Sequence, residues 1–237
     1  MKQVILRNAD VLQSTVFRGM PHYPGRFVAR LGDRAPVGLF IAGSSELVGS
    51  LDSGHFPSVA LAVSINSPAS VIEITLALVQ ELARAGVVFV GGFHSPIERR
   101  CLDAITVAGG RAAVCLARTL SELRIPRSWQ LPLREDKLAL VSVCAPAQKR
   151  ATSESVRVRN QCVLAFTDSL LIPHATPGGK AEALCREAIE ARKPVWTVDR
   201  PTCRNLLALG AKPVILGTAT QILDPARRLA ATSSPSK

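Results

Sequence analysis

Four short clusters of glycine, hydroxyl and basic residues stand at the ends or starts of regular segments in this chain. Gly43-Ser44-Ser45 closes the apolar run Val37-Gly38-Leu39-Phe40-Ile41-Ala42, and Gly91-Gly92 follows Val87-Val88-Phe89-Val90. Pro177-Gly178-Gly179-Lys180 opens an amphipathic stretch, and Arg157 and Arg159-Asn160 stand at the start of another. Glycines let a ligand approach the main chain, and the free amides and dipole at a helix start favour an anion. Guanidinium and ammonium groups among them neutralise phosphate oxygens. The chemistry is therefore phosphate binding, with Gly43, Ser44, Gly91, Gly92, Arg157, Arg159, Asn160, Gly178, Gly179 and Lys180 as candidate contacts.

Catalytic signatures do not accompany them. There is no Gly-x-x-x-x-Gly-Lys loop and no nucleophile elbow, so no catalytic residue is assigned. His94 and His174 read as loop packing. The six cysteines (101, 115, 144, 162, 185, 203) form no Cys-x-x-Cys pair and have no histidine at ligand spacing. Buried reduced thiols are expected, with no metal site, no disulfide framework and no cofactor.

The elements that must position these clusters alternate along the chain. Apolar runs at Val37–Ala42, Val59–Val63, Val87–Val90, Ala112–Leu116, Leu138–Val143, Ser169–Ile172, Val195–Val198 and Val214–Leu216 read as buried strands, the first two as parallel ones. Helices are predicted from Ser67-Pro68 to Gly86, from Ser95-Pro96 to Gly109, over 156–166, over 180–192 and over 204–209, with 145–155 a polar loop. Ser95-Pro96-Ile97-Glu98 combines a capping box with a first-turn proline. Strands alternating with helices predict an α/β, doubly wound, mainly parallel sheet with helices on both faces. In such sheets ligands bind beyond the strand carboxyl ends, where the four clusters are expected to meet. Residues 1–35, rich in Arg, Pro and Gly, are expected to be an N-terminal arm or small cap. Residues 36–229 form the main domain and 230–237 a flexible tail.

Composition sets the outer bounds. Of 237 residues, 47% are hydrophobic, which excludes a mainly disordered chain. Lys plus Arg number 29 against 18 Asp plus Glu, a formal net charge of +11 that calls for an anionic partner. Aromatics at 4% are too few for a sheet paved with base-stacking platforms, so phosphate contact rather than stacking should dominate. Neither a secretory leader nor a membrane-length apolar run is present, and a cytoplasmic protein is expected.

The order of these motifs resembles the DprA/Smf family of DNA-processing proteins, over roughly residues 36–224. The family's Ser-Gly-x-Ala-x-Gly-Ile-Asp is similar to Gly91-Gly92-Phe93-His94-Ser95-Pro96-Ile97-Glu98. Its Arg-Asn-Arg resembles Arg159-Asn160-Gln161, followed by Asp168 and a strand. Its Ser-Gly-Thr helix start resembles Pro177-Gly178-Gly179-Lys180, and its Asn-x-Leu-Ile-x-x-Gly-Ala resembles Asn205 to Ala211. The family's Arg after the first strand has no counterpart near Gly43-Ser44-Ser45, Pro96 and Glu98 replace its second Gly and its Asp, and Pro173-His174 replace an acidic strand end.

The resemblance implies a Rossmann-like domain in a divergent, stand-alone member without the family's winged helix. It implies a non-catalytic nucleic-acid-binding protein, single-stranded DNA favoured, acting as a homodimer with a recombinase as a further partner. An alternative it raises is a regulatory or antitoxin component of a two-gene phage-defence or toxin–antitoxin module, with a phosphoribosyltransferase toxin as partner. A third is a nucleotide phosphoribohydrolase, whose Pro-Gly-Gly-x-Gly-Thr-x-x-Glu signature Pro177-Gly178-Gly179 begins. Here Ala181-Glu182 occupy the Gly-Thr positions and Cys185 the catalytic Glu position, which removes the acid/base group.

Overall fold

Residues 13–121, 123–217 and 222–223 are described in the computed structural model. Its central strands are apolar at successive positions because both sheet faces are covered. β3 (Ser58–Leu61), β4 (Val88–Gly91) and β6 (Leu138–Ser142) are buried along their whole lengths. With β1 (Gln13–Phe17), β2 (Gly38–Gly43), β5 (Arg111–Leu116), β7 (Ser169–Leu171), β8 (Val195–Val198) and β9 (Lys212–Val214) they make one nine-stranded sheet. Its order is β1-β2-β6-β5-β4-β3-β7-β8-β9. β3 to β9 are parallel, and the winding direction reverses between β3 and β7.

The period-two alternation of a strand deals its side chains to two separate cores. Val59, Leu61, Phe89 and Val114 pack with α3 (Ala69–Arg84), α4 (Pro96–Val107) and α5 (Arg127–Arg134) through Leu78, Leu82, Leu102, Ile105 and Leu133. Ala60, Val88, Val90 and Ala113 face the other way. They meet α1 (Gly25–Leu31), α2 (Ser45–Ser53), α6 (Ser153–Phe166), α7 (Lys180–Glu190) and α8 (Arg204–Ala208) through Phe27, Leu51, Phe166, Cys185 and Leu206. The expected doubly wound, mainly parallel sheet with helices on both faces is what the chain forms. All six cysteines are buried and unpaired, and burial pushes the Cys101 and Cys115 thiols up to about 12.

Several expectations are corrected. β2 is not parallel: it runs antiparallel to β6, with Phe40 opposite Ser142 and Gly43 opposite Ala139. An unbroken apolar run reports burial on both faces and says nothing of direction. Residues 13–34, expected to be irregular, contain edge strand β1 antiparallel to β2, helix α1, and a 3-10 turn at Gly32–Arg34. The segment is held by Phe27, which is fully buried, its ring tilted against that of Phe166 with centroids 4.2 Å apart. Two further helices, α2 and α5, were also not expected from the sequence. α2 is started by Ser44, whose hydroxyl accepts the Leu47 amide at 3.2 Å. Helix α6 begins earlier than expected, because Thr152 and Ser155 cap each other reciprocally. The last strand is displaced toward Lys212, leaving Ile215 and Leu216 exposed. The start of the arm and the tail at 230–237 lie outside the described residues.

Candidate nucleic-acid interface

The winding reversal between β3 and β7 opens a crevice at the carboxyl edge of the sheet, since neighbouring connections leave toward opposite faces. Three loops border it: 62–68 after β3, 92–95 after β4, and 172–179 after β7. Ser64 ties two of them, its amide donating to the His174 carbonyl at 3.4 Å and its hydroxyl lying 3.1 Å from that of Thr176. Glu98 ties the β4 loop to the β3 loop. Its carboxylate accepts the amides of Val63 (3.3 Å), His94 (3.1 Å) and Ser95 (3.4 Å), and stands 3.2 Å from His94 Nδ1. Burial pushes this carboxyl up, but the His94 ring and the donated amides outweigh it and hold it below its ordinary value. Glu98 thus completes the capping box read from the sequence, and its second amide partner set fixes two loops as one unit.

Arg159 is the centre of this construction. It is 6% exposed, a guanidinium inside the protein. Its Nη1 donates to the Cys115 carbonyl at 3.2 Å and its Nε to Asn160 Oδ1 at 2.9 Å. A Cβ on Gly92 would stand 1.9 Å from Arg159 Nη1 and 2.8 Å from Cζ. Gly92 therefore has no side chain because Arg159 occupies that space, and Gly91 because Leu61 O would lie 2.9 Å from its Cβ. Gly92→Ala is expected to cost about 1–2 kcal/mol, since a walled-in guanidinium must move. In the Arg159→Ala background the same change should cost at least about 1 kcal/mol less, a coupling read by a urea double-mutant cycle. Strict additivity would show that the two residues do not share this space.

The Pro177-Gly178-Gly179 turn is shaped from beneath. Asn205 Nδ2 donates to the Ala175 carbonyl at 3.1 Å and to Glu182 Oε2 at 2.6 Å, and Glu182 Oε1 accepts Arg186 at 2.9 Å. The Asn205 and Arg186 donors, with the Gly178 amide, hold the Glu182 carboxyl below its ordinary value. Gly178 has φ +71°, which glycine adopts without penalty. Lys180 is exposed at the first position of α7. His174 is buried, with Nδ1 3.5 Å from Ser67 Oγ, and desolvation lowers its pKa, so the ring is neutral near pH 7.

Of the sequence-derived contacts, Gly91, Gly92, Arg159, Asn160, Gly178, Gly179 and Lys180 lie around this crevice, at the end of β4, on the loops, on α6 and at the start of α7. Arg157 is on the solvent side of α6, bound to Glu154 at 2.9 and 2.5 Å. Gly43 and Ser44 do not join them. With β2 antiparallel, its end lies beside Leu138 at the start of β6, on the opposite edge of the sheet: Ser44 N contacts Leu138 O at 3.5 Å. A row of exposed cations that was not among the sequence-derived contacts lies on the same carboxyl edge. Arg99 and Arg100 follow β4, Arg118 follows β5, Lys149 and Arg150 follow β6, and Arg200 and Arg204 follow β8. Their place just after apolar runs was the available signal. Among the described residues no cluster of His, Cys, Asp or Glu could hold a metal ion, and no helix is long and apolar enough to cross a membrane.

The chain is thus a doubly wound α/β domain with glycine-bearing loops at its winding reversal and exposed basic residues on the loops around it. The sequence profile of the DNA recombination-mediator protein A family matches residues 14–230, and the chain belongs to that family. No curated protein matches it by sequence. DNA processing protein A (DprA) from Streptococcus pneumoniae is 19% identical, with a TM-score of 0.72 over 88% of this chain and 73% of that one. DNA processing protein A from Helicobacter pylori, described for its single-stranded DNA binding mode, is 19% identical, with a TM-score of 0.70 over 93% of this chain and 96% of that one. A molybdenum cofactor binding protein from Rippkaea orientalis reaches 0.52 at 12% identity, over 73% and 98%. At these identities the likeness is one of fold.

Proposed function

We propose that the protein binds single-stranded DNA along the carboxyl edge of its sheet, as a binding protein and not an enzyme. The observation that carries this reading is the row of exposed cations on successive loops: Arg99, Arg100, Arg118, Lys149, Arg150, Lys180, Arg200 and Arg204. A row of this kind follows a flexible, charged backbone, and the family and the Helicobacter pylori relative support DNA as that backbone. Gly178, Gly179 and Lys180 would meet phosphates directly. Gly91, Gly92, Arg159 and Asn160 would act by shaping the loops, since Arg159 is committed to Cys115 and Asn160. Arg157, paired with Glu154, contributes less. The scarcity of aromatics makes the binding backbone-led and tolerant of sequence.

Contact with three to four phosphates predicts that log K falls with log salt at a slope between about −2 and −3. Lys180→Ala and Arg118→Ala should each weaken oligo-dT and oligo-dA equally and make the slope shallower by about 0.7, with unchanged thermal stability. Fluorescence anisotropy across a salt series reads both. Affinity that is independent of salt, or unmoved by the two substitutions together, would defeat the reading.

A further inference from the structure

A second cavity lies at the other end of the parallel strands, about 590 Å³ in volume. It is bounded by α1, α6, the last turn of α7 and the segment Arg192-Lys193-Pro194 that leads into β8. Because Asp168 and Lys193 immediately precede β7 and β8, it opens at the amino edge, away from the crevice described above.

The charges in it are incompletely matched. Arg30 Nη1 donates to the carbonyls of Ala165 (2.8 Å) and Thr167 (2.7 Å), and Lys193 Nζ donates to the same Thr167 carbonyl. Both cations thus lean on the carboxyl end of α6, where the dipole favours them. Their shared carboxylate is Asp168, and Asp168 is already engaged. Its Oδ1 takes Arg26 at 3.0 Å, with Arg30 at 4.0 Å, and its Oδ2 takes the amide and hydroxyl of Ser58 at 3.0 and 2.7 Å. Arg34, exposed, adds a third cation to the lining. Burial, then the neighbouring Arg30, pushes Lys193 down to about 7. Glu187 and Glu190, with Arg192, form the opposite wall on α7 and just after it, while Leu31, Leu164 and Pro194 are apolar.

We propose that this amino-edge cavity is a binding site for a small phosphomonoester of nucleoside-monophosphate size, its phosphate held by Arg30, Arg34 and Lys193. The volume falls in the range of small-molecule sites, roughly 300–1,000 Å³. The carboxylates of Glu187 and Glu190 repel a bare anion from their side and accept hydrogen bonds from hydroxyl or amino groups. The cavity therefore selects an ester that carries such groups over inorganic phosphate.

The test is calorimetric titration of the full chain with AMP, inorganic phosphate and adenosine. AMP should bind, inorganic phosphate at least tenfold more weakly, and adenosine not at all. Lys193→Gln and Arg34→Ala should each weaken AMP at least tenfold, whereas Lys180→Ala, on the opposite edge, leaves it unchanged. Arg34 is exposed, so its substitution keeps the test valid should Lys193→Gln fail to fold. Protonated Lys193 faces Arg26, Arg30 and Arg34 from α1 and the turn after it, Asp168, Glu187, Glu190 and Arg192. Binding should therefore take up a proton, and affinity should fall by up to about tenfold per pH unit above 7, the limit for one linked proton. No AMP binding at millimolar concentration, equal binding by the Arg34 variant, or loss of binding in the Lys180 variant would overturn the proposal. The last outcome would place the nucleotide at the carboxyl edge instead, and none of the three bears on DNA binding.

Discussion

Gly43→Ala is expected to lower the free energy of unfolding by about 2–4 kcal/mol while leaving the DNA affinity of the folded protein unchanged. Gly43 sits at φ +87°, a region closed to most side chains, and a Cβ there would lie 2.7 Å from the Leu138 carbonyl oxygen and 2.7 Å from Leu133 Cδ2. The carbonyl belongs to the chain just entering β6 and cannot swing aside as a side-chain tip could. Strain and overlap therefore add. A glycine in a phosphate loop would give the opposite pattern, with affinity lost and stability kept. Urea denaturation and anisotropy on the same sample separate the two, and a stable variant with weakened DNA binding would return Gly43 to the binding surface.

Asp168→Ala should cost a similar amount, about 2–4 kcal/mol, the lower part of the range for breaking a buried ion pair because Arg26 and Asp168 keep some contact with water. Asp168 joins three parts of the chain. It accepts the Ser58 amide and hydroxyl at the start of β3, and Arg26 from α1. Arg26 in turn donates to the Phe166 carbonyl at 3.0 Å, and its own amide is held by Asp52 Oδ1 at 2.8 Å. Removing the carboxylate orphans an amide, a hydroxyl and half of a guanidinium at once. Asp168→Asn, which keeps one acceptor, should recover part of the loss in the same denaturation experiment. If alanine and asparagine are both neutral, the contacts are not energetically coupled.

The regular body of this fold was legible in sequence because its signals are local. Apolar runs of four to six residues marked β3 to β8, and Ser95-Pro96-Ile97-Glu98 marked the start of α4 down to its capping geometry. The direction of β2 was not legible, since its neighbour β6 is remote in sequence and an apolar strand looks the same either way round. That one reversal carried Gly43 and Ser44 to the wrong edge of the sheet. The inward placement of Arg159 was not legible for a related reason. A basic residue in a charged helix start reads as solvated or ligand-facing, and the groups that show it to point inward, Gly92 in the loop after β4 and the Cys115 carbonyl on β5, are remote in sequence. Asn205 had a motif but no visible task until its amide was found beneath the Pro177-Gly178-Gly179 turn. Arg30 and Lys193 were similarly hidden: their hydrogen-bond partners are main-chain carbonyls at the end of α6, and carbonyls leave no trace in residue type.

The pairing of β2 with β6 also sets a timetable. β1 and β2 are made first, yet the strand that completes β2, with Ala139 opposite Gly43, leaves the ribosome about a hundred residues later. At about 5–20 residues per second the newborn hairpin waits several seconds with one ladder of amides and carbonyls unmatched. Val37, Phe17 and Met20, exposed beside it even in the finished protein, extend that sticky margin. The amino-terminal strands thus stay incompletely paired until β6 has been made, well after their own synthesis.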